Sequence, residues 1–177
     1  MSKINERLEE LTSDILMNND MYKIPVDVFC IAKNNDISIY EGDLNKDISG
    51  AIRYDKNTKK FEILINKNDL RVRQRFTIAH ELGHFFLHKD ILQSDELHID
   101  TMYRMPKDDA EREREKEVDY FAGALLMNRI LVEKFHKENM KIREMSELFK
   151  VSVSAMTVRL DVLGLLWVKI VILLKVM

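Results

Sequence analysis

The sequence contains a single cysteine, Cys30, so no disulfide can form within the chain. Cys30 lies in the apolar run 26–32, which predicts a buried structural thiol. A chain of 177 residues can bury a hydrophobic core without disulfides or structural metals. Any metal that this chain binds is therefore expected to serve catalysis rather than folding.

An excess of charge of one sign is also missing. The 28 basic and 30 acidic residues leave a formal net charge of −2, whereas nucleic-acid-binding domains usually have a clearly basic surface. The composition therefore gives no indication of direct nucleic-acid binding. Its 46% hydrophobic and 33% charged residues are typical of a globular protein.

No hydrophobic stretch reaches the length of about 20 residues that a membrane-spanning helix needs. The apolar segment 163–177 is shorter, and Lys169 and Lys175 interrupt it. We interpret this segment as a buried strand or a packing tail rather than a membrane anchor. Residues 1–10 are mostly polar and do not resemble a signal peptide. We therefore expect a cytoplasmic protein that does not associate with membranes.

The periodicity of apolar residues predicts an α+β fold that is mainly helical. Three β-like runs predict a small antiparallel three-stranded sheet, at residues 37–40, 49–54 and 61–65. A hairpin loop is predicted at 55–60 and a further loop at 102–109. Helices are predicted at residues 4–15, 25–33, 70–89, 108–128, 131–137, 142–150 and 152–163.

The segment His80-Glu81-Leu82-Gly83-His84 lies within the helix predicted at 70–89. Two histidines four positions apart lie about 40° apart around a helix axis and one turn apart along it, so both can bind one zinc ion. Glu81 is then placed to act as a general base on the attacking water. The alternative is an ordinary helix with two hydrogen-bonded histidines and a surface glutamate. Because the flanking residues are apolar and unpartnered buried His and Glu are costly, the zinc site is favoured.

A catalytic zinc needs a third protein ligand and an open position for water. His88 is the nearest candidate in sequence. It follows His80 by eight residues, a rise of about 12 Å in an unbroken helix, so the three histidines cannot converge on one ion. We therefore expect His88 not to be a ligand.

The third ligand is expected in the charged helix downstream. At about 100° per residue, Glu115 falls on the core-facing side with Asp119, while Glu113 and Glu117 fall nearly opposite, toward water. Glu111, one turn earlier, is the alternative ligand. Asp119 is expected to accept a hydrogen bond from a ligand histidine and so orient it. Without a metal, the same run is simply a solvated helix face with i,i+3 ion pairs.

Together these residues resemble the ImmA/IrrE family of metallopeptidases. The likeness is carried by RFTIAHELGHFFLH at 75–88 and EKEVDYFAGALLM at 115–127, and it extends to 63–66 and 151–165. It covers about residues 22–166. This combination is far more specific than two histidines and a glutamate alone.

The resemblance implies a zinc peptidase with metal ligands His80, His84 and Glu115 and with Glu81 as the catalytic residue. Members of the family are commonly bacterial or phage-borne. They often cleave helix-turn-helix repressors, or they occur beside toxin-like genes. In such a peptidase, zinc activates a water molecule, and the glutamate accepts its proton and passes it to the leaving amine.

Two features depart from the family pattern. Asn128 stands where many members have proline, which predicts a modest change in how a helix ends. The apolar segment after Gly164 is not part of the resemblance, and it is free to pair with the sheet or with a partner.

The apolar positions in 142–160 fit two short helices joined at 150–152, a helix-turn-helix-like pattern. Its basic residues are Lys141, Arg143, Lys150 and Arg159. They are offset by the acidic residues Glu144, Glu147 and Asp161. Phosphate contacts would therefore contribute little to DNA binding. We favour a unit that packs on the core or docks a partner over one that reads DNA.

We expect two parts: a zincin-like metallopeptidase domain at 1–137, and the helix-turn-helix-like unit at 138–177, packed on the same core. The expected function is that of a zinc-dependent, site-specific endopeptidase whose protein substrate is a helix-turn-helix repressor of a phage or mobile element. The alternative is a catalytically silent regulator, or a toxin–antitoxin component, that acts through protein contacts. Retention of Glu81 and both histidines argues against it. A DNA-binding transcription factor is a third interpretation, and it requires a basic face on 152–163 that the residues do not supply.

A peptidase also needs a hydrogen-bond donor for the developing oxyanion. The candidates are Tyr103, His98 and His136. Their spacing selects none of them.

Overall fold

The computed structural model describes residues 3–20, 22–94, 98–101 and 108–166, with the backbone alone at 98–101. Its elements follow in the order α1 (Lys3–Asn18), α2 (Val28–Asn34), β1 (Ser38–Gly42), β2 (Ile48–Asp55), β3 (Lys60–Asn66), α3 (Arg71–Ser94), β4 (His98–Thr101), α4 (Asp109–Leu126), α5 (Arg129–Lys137), α6 (Ile142–Phe149) and α7 (Val153–Val162). The predicted α+β class, mainly helical, is therefore confirmed. Most of the predicted loop at 102–109 and of the apolar segment at 163–177 lies outside the described residues.

Side-chain caps decide where several helices begin. Asp27 accepts hydrogen bonds from the backbone N–H groups of Phe29 and Cys30, both at 3.1 Å, so α2 begins at Val28 and not at Pro25 as predicted. Ser152 caps α7 in the same way, accepting from the N–H of Ala155 at 3.0 Å. The helix starts therefore follow from polar residues that precede the apolar pattern.

The sheet differs from the predicted antiparallel three-stranded sheet in two respects. Its strand order is β1-β3-β2-β4, so a fourth strand is present. The strands β2 and β3 form the predicted antiparallel hairpin, and β4 adds antiparallel to the other edge of β2. The strand β1, however, pairs in parallel with β3, with Ser38 opposite Glu62 and Gly42 opposite Asn66. The prediction of a purely antiparallel sheet is therefore wrong.

The buried side chain of Asn66 explains this pairing. Its amide nitrogen donates to the carbonyls of Leu44, Asn45 and Ile48 at 3.3, 3.2 and 3.0 Å. These bonds hold the connection 43–47 across the end of β3, so that β1 lies beside β3 rather than beside β2. Consecutive strands are usually neighbours, so this order is a departure from the common arrangement.

The helix α3 is central in the fold. It packs against β2 and β3 and also against α4, which packs in turn against α1. The core includes residues from α6 and α7, such as Phe149 and Leu160, in the same cluster as Ile78 and Leu82 of α3. The division of the chain at 137 stays a prediction. Among the described residues, no helix combines the length and apolar character needed to cross a membrane.

Cys30 departs from its predicted burial. It is a free thiol that is half-buried against the core. The fully buried side of α2 is formed instead by Val28, Ile31 and Ala32. The helical phase therefore places the thiol at the edge of the core.

We expect Asn66→Asp to lower the free energy of unfolding by roughly 3 kcal/mol or more, because it replaces the donating amide by a buried carboxylate that faces three carbonyls. Urea unfolding measures the change. The matched control is Asn57→Asp in the exposed turn between β2 and β3, which should leave stability nearly unchanged. Equal unfolding midpoints for the two variants would contradict the role assigned to Asn66.

Candidate metal centre

The helix α3 carries three ionisable side chains in the protein interior. His80, Glu81 and His84 are 4%, 0% and 3% exposed. Their neighbours Ile78 and Leu82 are fully buried as well. The Nε2 atoms of the two histidines lie 3.2 Å apart, as expected for imidazoles one helical turn apart that face the same point.

The helix α4 brings Glu115 to these histidines. Its Oε2 lies 3.3 Å from Nε2 of His80, and its Oε1 lies 3.7 Å from Nε2 of His84. The donor atoms of the three residues lie within 4.8 Å of one another. Ligands bound tetrahedrally at about 2.0–2.1 Å are separated by about 3.3–3.4 Å. The observed spacing therefore fits a small tetrahedral metal ion.

Gly83 allows the two helices to approach closely. A Cβ atom there would lie 2.9 Å from Cγ1 of Val118 and 3.1 Å from Cδ1 of Phe121. This role of Gly83 was not predicted, although the residue lies inside the motif itself. Gly123, on the facing helix, would meet only Met127 at 4.0 Å and is not needed for this contact.

Asp119 lies where the sequence predicts it. Its Oδ1 is 3.1 Å from Nδ1 of His80. In the tautomer that donates from Nδ1 to Asp119, Nε2 presents its lone pair toward Glu115 and His84, as a metal ligand requires. Asp119 thereby orients the imidazole of His80, although its own side chain is 63% exposed.

The other glutamates of α4 do not all lie where they were predicted. Glu113 is exposed and pairs with Lys116 at 2.6 Å, as a residue that faces water should. Glu117 was expected to face water too, but its Oε2 lies 3.6 Å from Nε2 of His88. Glu111 is buried, yet it does not belong to the group whose donor atoms can share an ion.

His88 lies at a break in α3. Its backbone is non-helical, with φ −131° and ψ 29°, which turns its side chain toward Glu117. The His88 ring centroid is 5.8 Å from that of His84, and His88 is not among the candidate ligands, as expected. Burial lowers the pKa of His88, an effect that the charge of Glu117 opposes. Burial therefore favours the neutral form of His88.

Gly50 of β2 is a second residue whose role near the centre was not predicted. A Cβ atom there would lie 2.8 Å from the carbonyl oxygen of Leu64 and 3.6 Å from Oε1 of Glu81, and it would clash with the methyl group of Thr77. The β2–β4 pairing also shifts register between Ile48 and Gly50. A glycine inside a strand pattern often marks such a bulge or close approach, so the signal was present in the sequence.

Of the three predicted oxyanion donors, only His136 has a side chain that the structure describes. His136 lines an apolar cavity of about 250 Å³ with Met140 and Leu160, and this cavity contains none of the metal-centre residues. Tyr103 and the side chain of His98 lie outside the described residues.

Two buried histidines and a glutamate, brought together by a helix that packs on a small sheet and a second helix that packs against the first, are features of a metallopeptidase domain. Residues 32–161 match the Peptidase_M78 family, described as IrrE N-terminal-like domain. The chain belongs to this family, and the predicted relationship to ImmA/IrrE proteins is confirmed.

Two similar proteins illustrate the relationship. A segment of 62 residues is 44% identical to Metallopeptidase ImmA of Bacillus subtilis (strain 168) and covers 35% of each protein. A solved structure of a Mycobacterium tuberculosis transcriptional regulator matches with a TM-score of 0.63, over 88% of this chain and 46% of that one. At 19% identity, the second likeness shows the fold alone. The chain thus matches about a third of the first relative and less than half of the second.

We expect the purified protein to bind about one divalent metal ion per chain, and His80→Ala or His84→Ala to lose most of it, because each removes one of three protein ligands. Elemental analysis after desalting measures the content, with circular dichroism to verify the fold. His136→Ala is the matched control, since this histidine is outside the centre. Full metal retention by both ligand variants would exclude the site.

The glutamates of α4 provide a sharper test. Glu115→Ala should weaken metal binding strongly, whereas Glu113→Ala should not change it, because Glu113 pairs only at the surface with Lys116. Competition with a chromophoric chelator measures both affinities. Loss of metal in Glu111→Ala together with retention in Glu115→Ala would show that the ligand lies one turn earlier.

Proposed function

We propose that the chain is a zinc-dependent endopeptidase that cleaves a protein substrate at a specific site. The observation that carries this proposal is the tetrahedral spacing of donor atoms from His80, His84 and Glu115, with the buried carboxylate of Glu81 in the same turn of α3. Membership in a metallopeptidase family supports it independently.

The donor set supports zinc as the metal. Two imidazoles and one carboxylate form a common catalytic zinc set, in which the fourth position is left for water or substrate. When bound, zinc lowers the pKa of a water molecule and polarises the carbonyl to be cleaved. His80 is oriented for this role by its hydrogen bond to Asp119.

Glu81 is the proposed general base. It follows His80 directly, and its side chain is completely buried at the point where β2 passes α3. In the proposed reaction its carboxylate accepts a proton from the attacking water and then delivers it to the leaving amine. A carboxylate with this task must stay close to the ligands without being one of them, and Glu81 is not in the ligand group.

We propose a helix-turn-helix repressor of a phage or mobile element as the substrate, and the cytoplasm as the place of cleavage. The family resemblance supports this substrate. A protein partner in general is also supported by Val158 and Val162, which lie on the same side of α7 and are 62% and 40% exposed. Exposed valines suit contact with a protein better than contact with phosphates.

Direct DNA binding is disfavoured by a specific contact. Arg159 counted in the sequence as a basic residue of the helix-turn-helix-like unit, but it is 3% exposed and paired with Glu9. The positive charge available on this unit is therefore smaller than its composition suggests.

We expect Glu81→Gln to keep its metal and its partner but to lose cleavage, because the variant retains the size of the side chain and removes the base. The rate should fall by about 10²–10⁴-fold. Co-expression with repressors encoded nearby, followed by gel analysis of the repressor, measures cleavage, and pull-down of the same repressor measures binding.

Glu113→Gln is the matched control, since it makes the same chemical change on an exposed side chain. It should cleave like the wild type. If the wild type binds a repressor but never cuts it, and Glu81→Gln reproduces its regulatory effect in cells, then the chain acts as a silent regulator and not as a peptidase.

A further inference from the structure

A buried ion pair joins the two ends of the described chain. Nη1 and Nη2 of Arg159 on α7 lie 2.7 and 2.9 Å from Oε1 and Oε2 of Glu9 on α1. Both residues are almost fully buried, at 3% and 5% exposed. A bidentate pair of this kind has a fixed geometry as well as a strong attraction, so it holds α1 and α7 in one relative position.

The same pair also makes contacts with two residues of α4 and its C-terminal cap. The Nε of Arg159 donates to the carbonyl of Met127, the C-cap residue that follows α4, at 2.8 Å. The hydroxyl of Tyr120 donates to Oε1 of Glu9 at 2.8 Å, and the guanidinium of Arg159 lies 5.7 Å from the centre of the Tyr120 ring. Burial and the bond to Glu9 raise the pKa of Tyr120 to about 12, so the hydroxyl remains a donor at neutral pH.

These contacts act on the helix that carries Glu115. Tyr120 directly follows Asp119 and lies five residues after Glu115, about 7.5 Å along the helix and about 140° around it. The contact at Gly83 limits the distance between α3 and α4, but a single line of contact leaves rotation about the axis of α4 less restricted. Contacts from Tyr120 and Met127, on another side of the helix, restrict this rotation.

We propose that Arg159, Glu9 and Tyr120 are positioning residues for the metal centre. By fixing the rotation of α4, they hold Glu115 and Asp119 at bonding distance from the histidines of α3. The helices α1 and α7 thus complete the centre without supplying a ligand. This inference rests on the metal site of the proposed function, but it does not depend on peptidase activity.

The test must separate positioning from folding. Removing only one member of a buried pair leaves an unpaired buried charge, whereas replacing both by apolar residues is often tolerated. We therefore choose the double variant Glu9→Leu/Arg159→Met, and Tyr120→Phe as a milder variant that keeps the ion pair and the ring. The matched control is Glu147→Leu/Arg143→Met, which removes an exposed ion pair on α6.

The measurements are the unfolding temperature of the metal-free protein, zinc affinity by chelator competition, and the visible spectrum with Co²⁺ in place of zinc. We expect the double variant to bind zinc about 10-fold or more weakly with an altered Co²⁺ spectrum, since residues that orient metal ligands have effects of this size. Tyr120→Phe should change the zinc affinity and the Co²⁺ spectrum in the same direction. The control should match the wild type.

The results decide whether these three residues position the metal centre. Wild-type zinc affinity and an unchanged Co²⁺ spectrum in folded Tyr120→Phe and in the double variant would overturn the inference. If the double variant does not fold, Tyr120→Phe decides alone. A wild type that binds no metal would overturn the metal site together with this inference, whereas a wild type that binds metal but cleaves nothing would overturn only the peptidase proposal.

Discussion

The contact between α3 and α4 at Gly83 is the constraint on which the metal centre depends. Glu115 lies one turn before Val118, which is the side chain that any Cβ at Gly83 would meet. The carboxylate therefore reaches both histidines only because the absence of a side chain at Gly83 allows the two helices to pack closely. A larger residue would separate the helices, and close-packed interiors transmit such a displacement rather than absorb it. The geometry of the centre is thus set by a residue that has no polar group.

Burial makes this centre costly for stability. His80, Glu81 and His84 occupy a helix whose other buried residues are apolar except for Gln74 and Thr77, and desolvating ionisable groups opposes folding. The hydrogen bond from His80 to Asp119 offsets part of this cost, and a bound metal would offset more. Sites where a local rule of core composition is broken are usually functional sites. The polar residues inside α3 are therefore better explained by chemistry than by folding.

Local patterns in the sequence were sufficient to predict most helices, the β2–β3 hairpin and the pairing of two histidines on one helix face, because each depends on residues a few positions apart. The neighbour of β1 was not predictable in this way, since it depends on bonds from Asn66 to a connection about twenty positions earlier. The contact between Glu117 and His88 was missed for another reason. His88 lies where α3 loses its regular geometry, so the helical phase of α3 does not show where its side chain points.

Arg159 was misread because its partner is 150 positions away, beyond the reach of any periodic pattern. In sequence it belongs to a helix-turn-helix-like unit and suggests a basic surface. In the structure its charge is neutralised inside the protein, while Val158 and Val162 lie on the outside of the same helix. The helix α7 therefore has two different faces: an inner face that bonds to α1 and to the end of α4, and an outer face with exposed valines. Any protein that docks on the outer face would contact the element that keeps the metal-binding helix in place.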